Sequence, residues 1–287
     1  MILFRLFLVL DAILMKLPRS WRKALFTTLA RAAHRLAPKR NLIIQHNLGY
    51  AFNNELSVDE KKEIERYCYR NLALNLLQTM ENRRNSAEEL ASQVTFQNRE
   101  VVDEILTQGK GIVFVAAHFG NWELGGAALS SLVTPIASIY KGFSRKEFDS
   151  YLLEARTHHK MTLAEKTGAL KHMAKTLKNN GSVLLMMDQS SNVKYGVPFD
   201  FFAHSTYHST AAAQLASKFK LPIVGVYILS EDEEHYTITF ETPIEVEGDG
   251  SEAILEATKK QVVALEKLIQ KHPKFWFWCH KRWKGKY

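Results

Sequence analysis

His118 closes an apolar run over 112–117, and Glu123 follows five positions later, with Gly120, Asn121 and Trp122 between them. In one continuous helix the two would stand roughly 140° apart and share no face. Gly120 permits a turn, and Asn121 is a favoured helix N-cap. The spacing therefore predicts His118 on the turn after a strand and Glu123 in the first turn of a helix, folded back toward it. A carboxylate on one imidazole nitrogen orients the ring and stabilises the imidazolium; the other nitrogen is left to take a proton from a hydroxyl. Backbone N–H groups at the helix start favour developing negative charge. The same spacing also fits a core histidine beside a surface acid. Metal binding lacks a third ligand at a convincing spacing, and the His204–His208 pair is a weak metal signal.

Such a pair needs a frame. Short β-like runs fall at 94–97, 111–117, 135–140, 182–188, 222–229 and 236–241. Helical patterns lie near 98–108, 122–132, 145–159, 168–179, 208–219 and 251–271. Ser57 with Glu60 reads as a capping box that opens a helix to about residue 83, and Ser86–Glu89 looks like another helix start. Near-continuous apolar strands alternating with helices predict an α/β fold with a mixed, mostly parallel central sheet flanked by helices. In such sheets ligands bind outside the carboxyl ends of the strands. His118 and Asp188 each stand just past such an end, which makes them candidates for one shared site.

The chain has 287 residues and a net charge of +8. Nine of its basic residues and one acid fall in the first forty positions, so the rest carries no net charge. Leu3, Leu6, Leu10, Ile13, Leu14 and Leu17 keep helical spacing there, while Arg5, Asp11 and Lys16 interrupt the apolar run. These features favour a helix lying in or entering an anionic membrane interface over a clean crossing. The alternative is a helical hairpin packed on the body with its basic side in water. No small-residue cleavage site follows, so a secretory leader is not expected. Two cysteines define neither a disulfide framework nor a zinc set. No phosphate-binding glycine loop, internal repeat or RNA-binding signature is found, and a body without net charge argues against nucleic acid. Residues 1–40 are expected to be membrane-associating helices and 41–287 a single catalytic domain.

The stretch "AAHFGNWELGG" (116–126) resembles the H-x4-D/E motif of membrane-associated acyltransferases. More specifically, the chain resembles the bacterial lipid A biosynthesis acyltransferases, the late lauroyl and myristoyl transferases. The likeness extends over 41–77, "IYKGFSRKEFDSYLLEARTHHKMTL" (139–163), "LLMMDQS" (184–190), "VPFDFFAHSTYHSTAAAQLA" (197–216) and the closing "FWFWCHKRWK" (275–284). It implies a glycerolipid-acyltransferase-like fold. It implies acyl transfer from an acyl carrier protein thioester to a hydroxyl of a lipid A precursor of the Kdo-lipid IVA type, at the cytoplasmic face of the inner membrane, with no cofactor beyond the thioester. In this likeness His118 is the general base and Glu123 its orienting partner. Asn121, Arg156, Asp188, Gln189, Tyr140, Lys141, His280 and Arg282 are the expected substrate-binding residues. Arg156 matches a basic position that faces the active site in similar enzymes. Lys141 stands where the family more often has Arg, and it lacks the bidentate fork. Trp276, Trp278 and Trp283, with the nearby cations up to Lys284, read either as core with a solvated rim or as an acyl-chain wall with anion ligands. No E-G-T-R-like second motif of the glycerolipid branch is present. Open alternatives are another bacterial glycolipid or phospholipid acceptor, or a non-enzymatic peripheral membrane protein.

Overall fold

The computed structural model describes residues 2–165, 167–248 and 250–283. The chain begins with four helices: α1 (Ile2–Leu14), α2 (Arg19–Leu36), α3 (Pro38–Ala51) and α4 (Val58–Asn82). The α/β body follows as α5 (Ala87–Gln93), β1 (Val94–Gln97), α6 (Arg99–Thr107), β2 (Val113–Ala116), α7 (Trp122–Ala128), β3 (Ile136–Tyr140), α8 (Lys146–Thr157), β4 (Thr162–Glu165), α9 (Ala169–Lys178) and β5 (Ser182–Met186). A hairpin of β6 (Gly196–Phe201) and β7 (His204–Ser209) precedes α10 (Ala211–Phe219), β8 (Ile223–Leu229), β9 (Tyr236–Phe240) and α11 (Ser251–Lys271).

The seven-stranded sheet runs β1-β9-β8-β2-β5-β3-β4, and every neighbouring pair is parallel except β8–β9. Alternation within the strands explains how both faces are covered. Phe114 of β2 and Leu184 of β5 pack with α5, α6 and α7 on one face. Val113, Val115, Val183 and Leu185 pack with α9, α10 and α11 on the other. Strands buried on both sides must be apolar at successive positions, which is the pattern seen. A third cluster joins α3, α4, the hairpin and the closing aromatic segment.

The sequence reading misses β4 and the hairpin. The helix expected over 122–132 keeps α geometry to Ala128 and finishes as a π-turn, Leu129–Val133. The helix expected from 208 begins at Ala211, because β7 occupies 204–209. Lys284 lies outside the described residues.

α1 and α2 are clamped to the C-terminal end of α4 by ion pairs. Asp11 is buried and accepts from Arg84 at 2.6 Å and Arg83 at 3.3 Å. Glu81 of α4, also buried, meets Arg22 at 3.0 Å and Arg19 at 3.5 Å. Phe4 and Phe7 pack on Phe148 and Tyr151 of α8, with ring centroids 5.1 and 5.0 Å apart. Leu3, Leu6, Leu10, Ile13, Trp21 and Leu29 remain exposed on the outside. No helix among the described residues is long and apolar enough to cross a membrane.

Candidate active site

β2 and β5 are neighbours in parallel register, with Ala116 opposite Met186. Two residues past each partner stand His118 and Asp188, so the strands deliver both side chains to the same edge of the sheet. Asp188 Oδ1 lies 3.0 Å from His118 Nδ1. Asp188 Oδ2 accepts the backbone N–H of His118 at 3.0 Å and the indole N–H of Trp276 at 3.1 Å. The carboxylate fixes the proton on Nδ1 and leaves the Nε2 lone pair outward. Among the described residues nothing hydrogen-bonds Nε2. The His118 side chain keeps 24% of its exposure while Asp188 keeps 5%, so the ring is reachable and its partner is shielded. Trp122 and Phe277 flank the imidazole, at centroid distances of 5.3 and 6.2 Å.

The electrostatics follow from this geometry. Burial alone would press His118 toward its neutral form. The charge and hydrogen bond of Asp188, helped by Glu123 and opposed by Arg156, outweigh burial and raise its pKa above the usual value. Burial likewise opposes ionisation of Asp188, but His118 and Trp276 bring its carboxyl down to about 2.

Glu123 takes a different place from the one its motif suggests. Its carboxylate accepts both prongs of Arg156, Nη2 at 2.6 Å and Nε at 3.1 Å. The residue oriented on the imidazole is therefore Asp188, and Glu123 acts on His118 only as a nearby charge. The reason is local. Glu123 opens α7, where α8 brings Arg156 alongside, and a bidentate guanidinium is the stronger claim on a carboxylate. Arg156 Nη1 makes no hydrogen bond to any described residue. The pairing with Glu123 outweighs burial and raises the Arg156 pKa.

The turn between His118 and α7 is held by a polar ladder on α4 that the sequence reading overlooks. Gly120 O accepts from Asn71 at 2.9 Å and from Asn75 at 3.1 Å. Glu123 N donates to Asn75 at 3.2 Å, and Glu123 O accepts from Asn82 at 3.0 Å. Gln78 bridges Asn82 and Asn121. All four α4 side chains are buried. Their spacing of four, three and four residues marks one helical face, a signal present in the sequence. Gly120 sits at φ +57°, and a Cβ there would lie 2.0 Å from Ile228 O.

The other expected residues divide. Asn121 is buried and caps α7, accepting from Leu124 N at 3.2 Å; it is part of the turn, not a substrate ligand. Arg282 is likewise not a surface ligand. It is fully buried against the hairpin, 2.8 Å from His208 Nδ1 and donating to Tyr207 O at 3.3 Å. Burial and Arg282 hold His208 down at about 3. His280 is half-buried, and its carbonyl accepts from Asn47 at 2.8 Å. Tyr140 is buried with its hydroxyl on Glu165 at 3.3 Å, whereas Lys141 and Gln189 are exposed. Trp276, Trp278 and Trp283 are core residues, and only Trp276 among them reaches the site. His204 stacks on Tyr50, and no group of residues suited to a metal ion occurs among the described residues. An apolar cavity beside the turn is lined by Ala116, Trp122, Gly126, Leu184, Met186 and Ile228.

An oriented imidazole at the carboxyl edge of a mostly parallel sheet, beside a half-buried Glu–Arg pair and an apolar cavity, suits proton abstraction from a hydroxyl next to an acyl group. Over residues 2–285 the chain matches the sequence profile of the bacterial lipid A biosynthesis acyltransferases, and it belongs to that family. It is accordingly an acyltransferase. No curated protein sequence matches it.

Proposed function

We propose that this chain transfers a fatty acyl group from an acyl carrier protein thioester to a hydroxyl of a Kdo-bearing lipid A precursor, with His118 as general base. The observation that carries this reading is the Asp188-oriented imidazole with an outward Nε2, in a chain of this family. The acceptor hydroxyl gives its proton to Nε2 as its oxygen bonds to the thioester carbonyl carbon. The tetrahedral intermediate collapses, the C–S bond breaks, and the imidazolium returns the proton to the departing thiolate. Direct attack is favoured over an acyl-enzyme because Cys68 and Cys279 are both buried and neither hydrogen-bonds His118. The apolar cavity, about 40 Å³, is suited to one or two methylenes of the acyl chain and not to the whole of it. Arg156 Nη1 is suited to an acceptor phosphate or to the carbonyl oxygen as it becomes negative.

The outer apolar stripe of α1 and α2, with exposed Arg5, Lys16, Arg31 and Arg35, supports attachment to the cytoplasmic leaflet of the inner membrane, with α1 lying on the interface. Attachment of this kind survives a high-salt wash, whereas a purely ionic one does not.

The test incubates the purified chain in detergent with acyl carrier protein thioesters of several lengths and the Kdo-bearing precursor, and reads lipid mass. The reading expects a gain of one acyl chain, lost in a folded His118→Ala variant. No gain from the wild type at any chain length would reject the proposed acceptor.

A further inference from the structure

Trp276 belongs to the segment after α11 that lies along the catalytic turn. Gly120 N donates to Phe275 O at 3.0 Å, and Phe277 N donates to His118 O at 3.0 Å. Phe119 and Trp276 form an antiparallel bridge between these hydrogen bonds. The indole is 2% exposed. Trp278 and Trp283, its buried companions, direct their N–H groups to backbone carbonyls, Pro273 O at 2.7 Å and Phe201 O at 3.3 Å. Trp276 instead donates to a side chain, Asp188 Oδ2, at 3.1 Å. That oxygen also holds the His118 backbone N–H, while Oδ1 faces the ring. A carboxylate tied through one residue alone can turn about its Cβ–Cγ bond. A donor from a second, distant segment removes that freedom, and hydrogen bonds to ionised groups are among the stronger ones.

We propose that Trp276 is a positioning residue for proton transfer: its indole N–H holds the Asp188 carboxylate in the orientation that presents one oxygen to the His118 ring and the other to the His118 backbone. The closing aromatic segment thereby becomes part of the active site through one hydrogen bond, in addition to packing the core. The inference rests on His118 being the base. The charged groups acting on His118 are Asp188 beyond β5, Glu123 on α7 and Arg156 on α8. Trp276 touches only the first of them.

The cleanest variant replaces Trp276 with benzothienylalanine, which keeps the bicyclic shape and lacks the N–H; Trp276→Phe is the genetically encoded companion. Two readouts are taken on the full chain: the NMR titration of the His118 ring, which needs no substrate, and kcat and KM against pH with the acyl donor and acceptor. Without the indole donor the Asp188 carboxylate turns more freely and holds the imidazolium less well. The expected result is a His118 titration moved to lower pH, an acid limb of kcat moved with it, and a plateau kcat lowered about tenfold with KM little changed, a tenfold loss being ~1.4 kcal/mol in the barrier. A His118 titration that stays in place or moves to higher pH, whatever the rate, would overturn the proposal and leave Trp276 as packing. A titration shifted to lower pH in a protein that does not turn over the lipid A precursor would support the positioning role and reject the acceptor instead.

Discussion

The carboxylate on the His118 ring comes from Asp188, seventy residues along the chain and 3.0 Å away, and not from Glu123 within the motif. Neighbouring parallel strands end in register, and each places a polar residue two positions beyond its end. The sheet therefore assembles the pair, and the helix that follows is free to use its own carboxylate elsewhere. Glu123 uses it to hold Arg156.

That second pair sets a stability prediction. Glu123→Gln leaves the Arg156 guanidinium with a neutral partner in a mostly enclosed place. Removing one member of a fully buried pair costs about 3–5 kcal/mol. Arg156 retains a quarter of its exposure, so about 2 kcal/mol is expected after allowing for solvent screening. Urea unfolding of Glu123→Gln, Arg156→Met and the double variant checks this. The double variant should cost clearly less than the two single changes added together.

Gly120→Ala tests the turn. The new Cβ would meet Ile228 O at 2.0 Å, and φ is already +57°. Backbone must move on β8 or at the turn itself, for a loss of more than about 2 kcal/mol. Activity should fall with stability, because His118 lies two residues away. A variant as stable as the parent would show that the turn can relax.

Asn75 serves two backbone groups at once, Gly120 O and Glu123 N. Asn75→Leu fills the space but leaves Glu123 N without its acceptor and Gly120 O with Asn71 alone. An orphaned buried group costs about 1–3 kcal/mol. Chemical denaturation should show a loss in that range, and hydrogen exchange at Glu123 N should accelerate more than at distant strands.

Acid stability depends on His208. Burial and Arg282 hold its pKa at about 3, below the usual 6.5. Below pH 6.5 the unfolded chain therefore takes a proton that the native chain refuses, and stability falls as pH drops toward 3. His118 has the opposite sign. Its raised pKa contributes stability that is full below 6.5 and lost as pH rises through the folded value. His208→Gln keeps an acceptor for Arg282 without the titration. Its stability curve should be flatter between pH 6.5 and 4 than that of the wild type; an equally steep curve would place the acid sensitivity elsewhere.

Much of this was legible in the sequence, for physical reasons. β2, β5 and β8 are buried on both faces and read as apolar runs. His118 and Asp188 stand at their ends as the polar exceptions. The choice between Asp188 and Glu123 was not legible, because strand adjacency is a long-range fact and the motif favours the residue nearest in sequence. The hairpin was hidden by its chemistry. β6 contains Pro198, β7 is polar, and the turn puts Phe202 and Ala203 at positive φ with no glycine or asparagine to announce it. β4 is four residues at the sheet edge. The α4 ladder was visible as amide side chains at helical spacing, but nothing in one sequence said that a turn nearly fifty residues away would receive them. Arg282 looked like a surface cation because buried arginines are rare without partners, and its partner, His208, lies on the hairpin that was missed.

The most direct measurement is the pH dependence of kcat/KM for the wild type, Asp188→Asn and Glu123→Gln. If Asp188 orients and charges the base, the wild-type acid limb lies above pH 6.5, because the imidazole must be neutral to accept a proton and Asp188 raises its pKa. Asp188→Asn should move that limb to lower pH and lower the plateau by about 10²-fold or more, the scale of general-base catalysis. An acid limb unmoved in a folded Asp188→Asn enzyme, with the larger shift appearing in Glu123→Gln, would contradict the account.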